Sequence, residues 1–122
     1  DELGEQAWLA VDAGERFDLN TALVFSHFLD DVQADWFENP LPKHDVAGLA
    51  RLVQASVVPI AVGSTFNQLT EFRQVLETGH ARVLRPNPYL LGGLTPVLRV
   101  CQLAEVYPVS VVPDCPEHIG VH

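Results

Sequence analysis

Three apolar runs in this chain end on a polar residue and then pass into a helix start. "VDAGERFD" carries Asp12, "WFENP" carries Glu38 and "AVGSTFN" carries Ser64. Two later runs end in the same manner, with Asn87 in "RPNP" and Asp114 in "VPDCP". The five residues follow one another at intervals of 26, 26, 23 and 27 positions. Carboxylates collected with a hydroxyl and a carboxamide are the raw material of acid–base chemistry. Whether they form one site, and what a neutral serine means at the third place, depends on the elements that carry them.

Those elements are legible in outline. "AWLAVDA", "ADWFENP", "VVPIAVG", "ARVLRPNP" and "PVSVVPD" are short, rich in Val, Ile, Trp and Phe, and nearly continuous in hydrophobicity. Strands buried on both faces of a parallel sheet have that character. They are expected near 7–12, 34–38, 58–62, 82–86 and 109–113. Between them apolar residues recur at helical spacing: Leu19, Ala22, Leu23 and Ser26 to Leu29; Val46, Leu49, Leu52 and Val53; Leu69, Phe72, Val75 and Leu76; Val97, Leu98, Cys101 and Ala104. Asp18 and Asp45 suit the N-caps of the first two helices. Gly79 suits the end of the third, and Thr95 with Pro96 the start of the fourth.

The order is therefore β-α-β-α-β-α-β-α-β with short connections. A period near 26 residues is one strand and one helix. Its recurrence favours a (β/α) barrel over a doubly wound sheet, and barrel chemistry gathers at the C-terminal strand ends. The expectation is an α/β fold: an incomplete parallel TIM-barrel segment of about five strands and four helices over residues 1–122, with Asp12, Glu38, Ser64, Asn87 and Asp114 facing one mouth. Closing such a barrel takes about eight strands. Five leave open edges, so the chain is expected to be completed by missing segments or to self-associate as a homo-oligomer.

Composition narrows the partners. The chain has 122 residues, 48% apolar and 19% charged, with a formal charge of −9. Such acidity argues against a nucleic-acid or anionic-membrane surface. No apolar run approaches the ~20 residues of a membrane span, and no basic-then-apolar leader opens the chain. Cys101 and Cys115 lack a CxxC spacing; a disulfide between them stays open, but nothing suggests a secreted framework, and reduced thiols of a cytoplasmic protein are the favoured reading. There is no methionine and residue 1 is Asp, which reads as a processed chain or a piece of a longer one.

At this point the motifs become specific. "WFENPLPKHDVAGLARL", "PIAVGSTFN", "RPNPYLLGGLTPVLRVCQLAE" and "VPDCPEHIG", with "VDAGERFD" before them, resemble the enolase superfamily. The likeness is to its mandelate-racemase-like branch, and within it to sugar-acid dehydratases of the galactonate and mannonate types. It runs in order from residue 7 to the end and corresponds to strands three to seven of the eight-stranded barrel.

The resemblance implies one Mg²⁺ held by three strand-end carboxylates, stabilising the enediolate formed when a base removes the proton beside a substrate carboxylate. Asp12 and Glu38 stand at the first two metal positions. Ser64 stands at the third, where the family carries Glu, so a ligand is lost. Asn39 replaces the second acid of the family's "FEEP". At the family's His–Asp dyad, Asn87 replaces the Asp and Asp114 the His. Histidine near pKa 6.5 exchanges protons at neutral pH, whereas aspartate near 3.9 is a much weaker base. The implied function is a Mg-dependent acid-sugar dehydratase or related racemase whose site has degenerated and which is inactive as it stands. The alternative is a non-catalytic folded remnant or self-associating structural domain.

Simpler roles exist for each residue. Asp12 and Glu38 could be structural rim acids, and Asp114 a solvated rim acid or a cap. His27, His44, His118 and His122 read as surface residues, and Lys43, the only lysine, lies in a loop after "PLP". Gly92-Gly93 before a helix could cradle a phosphate, though close packing explains the pair as well. Trp8 and Trp36 read as barrel-wall residues.

Overall fold

A computed structural model describes residues 9–114. Trp8, Cys115, His118 and His122 lie outside the described residues, as does the start of the first expected strand. By packing, the chain divides into two compact units, residues 1–60 and 61–122.

The first unit opens with β1 (Ala10–Asp12), α1 (Leu19–Asp31), β2 (Trp36–Glu38) and α2 (Val46–Ala55). β1 and β2 pair in parallel, with Ala10 opposite Trp36, Val11 opposite Phe37 and Asp12 opposite Glu38. The Phe37 N–H then reaches the Pro59 carbonyl at 2.8 Å on the other side of β2. Both helices start where their caps dictate. Asp18 accepts from the Thr21 N–H at 2.8 Å and Asp45 from the Gly48 N–H at 3.0 Å. Each satisfies a first-turn donor that has no intrahelical partner.

Packing follows from strand alternation. Phe37 points toward α1, its ring 5.6 Å from Phe25 of that helix and 6.1 Å from Phe17 in the loop before it. Ala22, Ser26 and Leu29, at helical spacing, form the buried face of α1, and Gly48, Leu49 and Leu52 that of α2. Phe37 is fully buried, and burying one such side chain contributes about 1.5–3 kcal/mol. Trp36 and Glu38, its neighbours in sequence, project from the opposite face of β2.

The second unit carries β3 (Ile60–Val62, beginning at the boundary), α3 (Leu69–Thr78), β4 (Val83–Leu84), α4 (Pro88–Leu91), α5 (Leu94–Ala104) and β5 (Ser110–Val111). β4 pairs in parallel with β3 and with β5. All observed pairings are parallel, as the sequence implies. α3 is fixed at its start by Glu71, whose carboxylate accepts from the Asn67 and Gln68 N–H groups at 3.0 and 3.2 Å. It ends at Gly79, left-handed with φ 71°. Phe72, Val75 and Leu76 form its buried stripe, and Val97, Val100 and Ala104 that of α5.

Gly63 ends β3 with φ +122°, a conformation that side chains rarely adopt. A Cβ there would come within 2.7 Å of the Phe72 ring and 3.1 Å of the Arg85 nitrogen. Only glycine fits.

Three expectations need correction. The strands are two or three residues long, shorter than read from hydrophobicity. Hydrogen bonding continues past them nonetheless, from Val112 N–H to Leu84 O at 2.8 Å and Asp114 N–H to Pro86 O at 2.9 Å. Helices number five among the described residues, because "PYLL" makes one extra turn, capped by Asn87 and closed by left-handed Gly92. α5 starts at Leu94 with Gly93 before it, so Thr95 and Pro96 lie inside the first turn. Proline is tolerated there because first-turn N–H groups have no intrahelical acceptor. Among the described residues no helix is long and apolar enough to cross a membrane. Cys101 is half-buried and free of any disulfide.

Candidate functional site

Asp12 and Glu38 close their strands, whereas Ser64, Asn87 and Asp114 lie two or three residues past the C-terminal ends of theirs. In the first unit, Asp12 and Glu38 are register partners on neighbouring strands, so their Cα atoms are about 4.8 Å apart. The Ala13 N–H bonds to the Glu38 carbonyl at 2.9 Å, and the Glu15 N–H to the Asn39 carbonyl at 2.7 Å. The two loops thus leave the sheet side by side.

The two acids differ in environment. Asp12 is exposed, and its Oδ1 accepts from the Gly14 N–H at 2.9 Å, closing a tight turn. Glu38 is only 6% exposed. Its Oε1 accepts from the Trp36 indole N–H at 3.1 Å, a bond made possible because alternate residues share a strand face. Trp36 is buried, as expected, and its indole N–H is committed to the Glu38 carboxylate. Asn39 is buried with φ +47°, a left-handed backbone that asparagine tolerates better than most residues.

In the second unit, Ser64 is half-buried in the turn after β3, where the Phe66 N–H bonds back to the Gly63 carbonyl at 3.1 Å. Asn87 caps α4, accepting from the Tyr89 N–H at 2.9 Å. Asp114 is held by Arg85, whose Nη2 lies 3.1 Å from the aspartate Oδ1. Sequence alone assigns no role to Arg85, the first residue of "RPNP". The available signal was a charge placed between a buried strand and a proline, where a solvated surface residue is not expected.

The fit of a Mg²⁺ ion follows from the donor set. Asp12 and Glu38 offer hard carboxylate oxygens of the kind the ion prefers. Ser64 offers a neutral hydroxyl. Among the described residues no group of three or more His, Cys, Asp or Glu side chains could hold a metal. The residues present therefore do not make up the three-carboxylate set. His27 and His44 are exposed and outside this constellation.

Parallel strands alternating with helices, and polar residues at or just past the strand ends, define a segment of a (β/α) barrel, a fold whose active sites gather at the C-terminal rim. The Enolase C-terminal domain-like family model matches residues 1–122, and the chain belongs to that family. It is 28% identical over 120 residues to an L-talarate/galactarate dehydratase of Salmonella typhimurium, covering 98% of this chain and 30% of the relative. It is 30% identical over 113 residues to a D-galactonate dehydratase of Ralstonia nicotianae, covering 93% and 30%. The crystal structure of an L-talarate dehydratase from Polaromonas sp. JS666, complexed with Mg and L-glucarate, superposes with a TM-score of 0.85 at 30% identity, over 98% of this chain and 34% of that one. The chain thus spans about 30% of the length of the curated relatives it matches.

Proposed function

We propose that this chain carries the strand-three-to-seven portion of an acid-sugar dehydratase type of site from which metal binding and proton transfer have been lost. The ion pair between Arg85 and Asp114 carries this reading. At the position where the family's base would stand, the aspartate Oδ1 is taken up by a guanidinium 3.1 Å away. A carboxylate so engaged is poorly disposed to accept a substrate proton. Asn87, at the dyad's second position, uses its side-chain oxygen to start α4 and cannot ionise. Ser64 removes one negative charge from the metal positions. Asp12 and Glu38 remain as the ancestral pair, with Glu38 oriented by Trp36.

The test is calorimetric titration of Mg²⁺ into the parent chain and into Ser64→Glu, with a galactonate and galactarate dehydration assay beside it. The parent should bind Mg²⁺ at millimolar concentration or not at all. Ser64→Glu should bind more tightly, since it restores a third hard ligand. Neither should turn over, because the proton-transfer pair is still replaced. Micromolar Mg²⁺ affinity in the parent, or dehydration by it, would refute the reading.

A further inference from the structure

We propose that the outer face of α1 is a docking surface for a second copy of this chain, the two α1 helices packing antiparallel about a two-fold axis at Phe28. Val24, Phe28 and Val32 recur every four residues and form one row along the helix and its C-cap. They are 72%, 56% and 43% exposed. Ala22, Ser26 and Leu29 occupy the buried side. A surface helix ordinarily turns polar residues away from the core, whereas α1 carries a second apolar row there.

The row is held from behind. The Phe28 ring lies 5.7 Å from Phe25, which in turn lies 5.6 Å from Phe37. The Val32 N–H still bonds to the Phe28 carbonyl at 3.2 Å, so helical spacing persists to the last member. A surface fixed in this way loses little freedom when it is covered.

The neighbouring row decides the occupant. His27 and Asp31, also four apart and both exposed, run beside the apolar residues. Rows with a spacing of four pack into the grooves of another such helix, and a two-fold axis requires a face that complements itself. In the antiparallel pair, Val24 meets Val32 of the second copy and Phe28 meets its own counterpart. The flanking rows run past each other in reverse. His27 therefore meets Asp31 of the second copy, and Asp31 meets its His27, two matched pairs of imidazole donor and carboxylate acceptor. A parallel pair would set each row against the opposite flank instead. Leu94 and Leu98 on α5 are as exposed, but the row beside them, Thr95 and Arg99, has no such opposite pair.

The helix has 13 residues and is about 20 Å long, too short to bury the roughly 1,600 Å² of a standard stable interface. Each copy also carries a charge of −9. The dimer is accordingly reversible, with micromolar affinity. None of the five residues at or past the strand ends takes part, so this inference is independent of the proposed function.

The experiment is sedimentation of the full chain across the micromolar range, with circular dichroism to check the fold of each variant. The parent should be a monomer–dimer mixture. Phe28→Asp should weaken the dimer at least about tenfold, and Leu98→Asp should leave it unchanged. His27→Glu and Asp31→Lys, both at exposed positions, should each weaken it alone by setting like charges opposite each other. Mixed together, these two variants should associate again, because Glu at 27 then faces Lys at 31. A monomeric parent, the outcome if another segment of a longer chain covers the row, overturns the proposal. So does a dimer untouched by Phe28→Asp, a dimer lost in Leu98→Asp, or no association on mixing the two charge variants.

Discussion

Replacing Gly63 by alanine tests the account of how β3 delivers Ser64 to the rim. The substitution adds one methyl group at φ +122°. Holding a non-glycine residue in such a region costs about 1–3 kcal/mol. The new Cβ would also sit 2.7 Å from the Phe72 ring and 3.1 Å from the Arg85 nitrogen. Phe72 cannot easily retreat. It is fully buried, and its ring packs edge-on to Phe66 at 4.9 Å. The Arg85 N–H is committed to the Val62 carbonyl at 2.8 Å. Overpacking against such neighbours costs about 1–3 kcal/mol more, for a total near ~2–6 kcal/mol. Gly79→Ala is the matched control. It has φ +71° and nothing within 4 Å of the added Cβ, so it should cost only the left-handed conformation, about 1–2 kcal/mol. Urea unfolding of both variants against the parent gives the comparison. Equal losses for the two would show that the Phe72 and Arg85 contacts do not constrain the strand end.

Other expectations follow from single contacts. The Asp18 carboxyl is held below its ordinary 3.8 by the Thr21 backbone N–H and then by the Thr21 side chain. Its stabilising contribution is therefore complete above the unfolded value and lost as pH falls through the lower folded one. Asp18→Asn, which keeps a cap without the charge, should flatten that part of an acid-unfolding curve followed by circular dichroism. A double-mutant cycle on Arg85→Met and Asp114→Asn should give a coupling of about 1 kcal/mol, modest because Asp114 is partly exposed; a value near zero would remove the basis for calling that aspartate engaged. Val24, Phe28, Leu94 and Leu98 are between 56% and 72% exposed. Sedimentation at micromolar concentration should accordingly show self-association, and a compact monomer would count against it.

Much of the scaffold was legible because it rests on local rules. Asp18 and Asp45 cap the helices they precede, Gly79 ends its helix, and the buried stripes of α1, α3 and α5 follow helical spacing. Strand lengths were overestimated, since hydrophobic runs continue into segments such as Arg85–Pro86 that bond to a neighbour without forming regular strand. The extra turn at Pro88–Leu91 escaped notice because four residues are too few to show a period. At the site, residue positions were readable but partnerships were not. Arg85 meets Asp114 across 29 positions of sequence, a contact created by strand order rather than by any local pattern. The Trp36–Glu38 bond needed only the alternation of side chains along a strand, yet hydrophobicity alone assigned the tryptophan to the wall.

That indole bond has an optical consequence. Tryptophan emission depends on what the ring nitrogen meets, and here it meets the Glu38 carboxylate at the end of the same strand. A proton or cation arriving at Glu38 would alter the emission of Trp36 directly, with no label attached. The chain has two tryptophans, so a Trp8→Phe variant would leave Trp36 as the sole emitter. The same strand that supplies the carboxylate thus carries its own spectroscopic gauge two residues upstream.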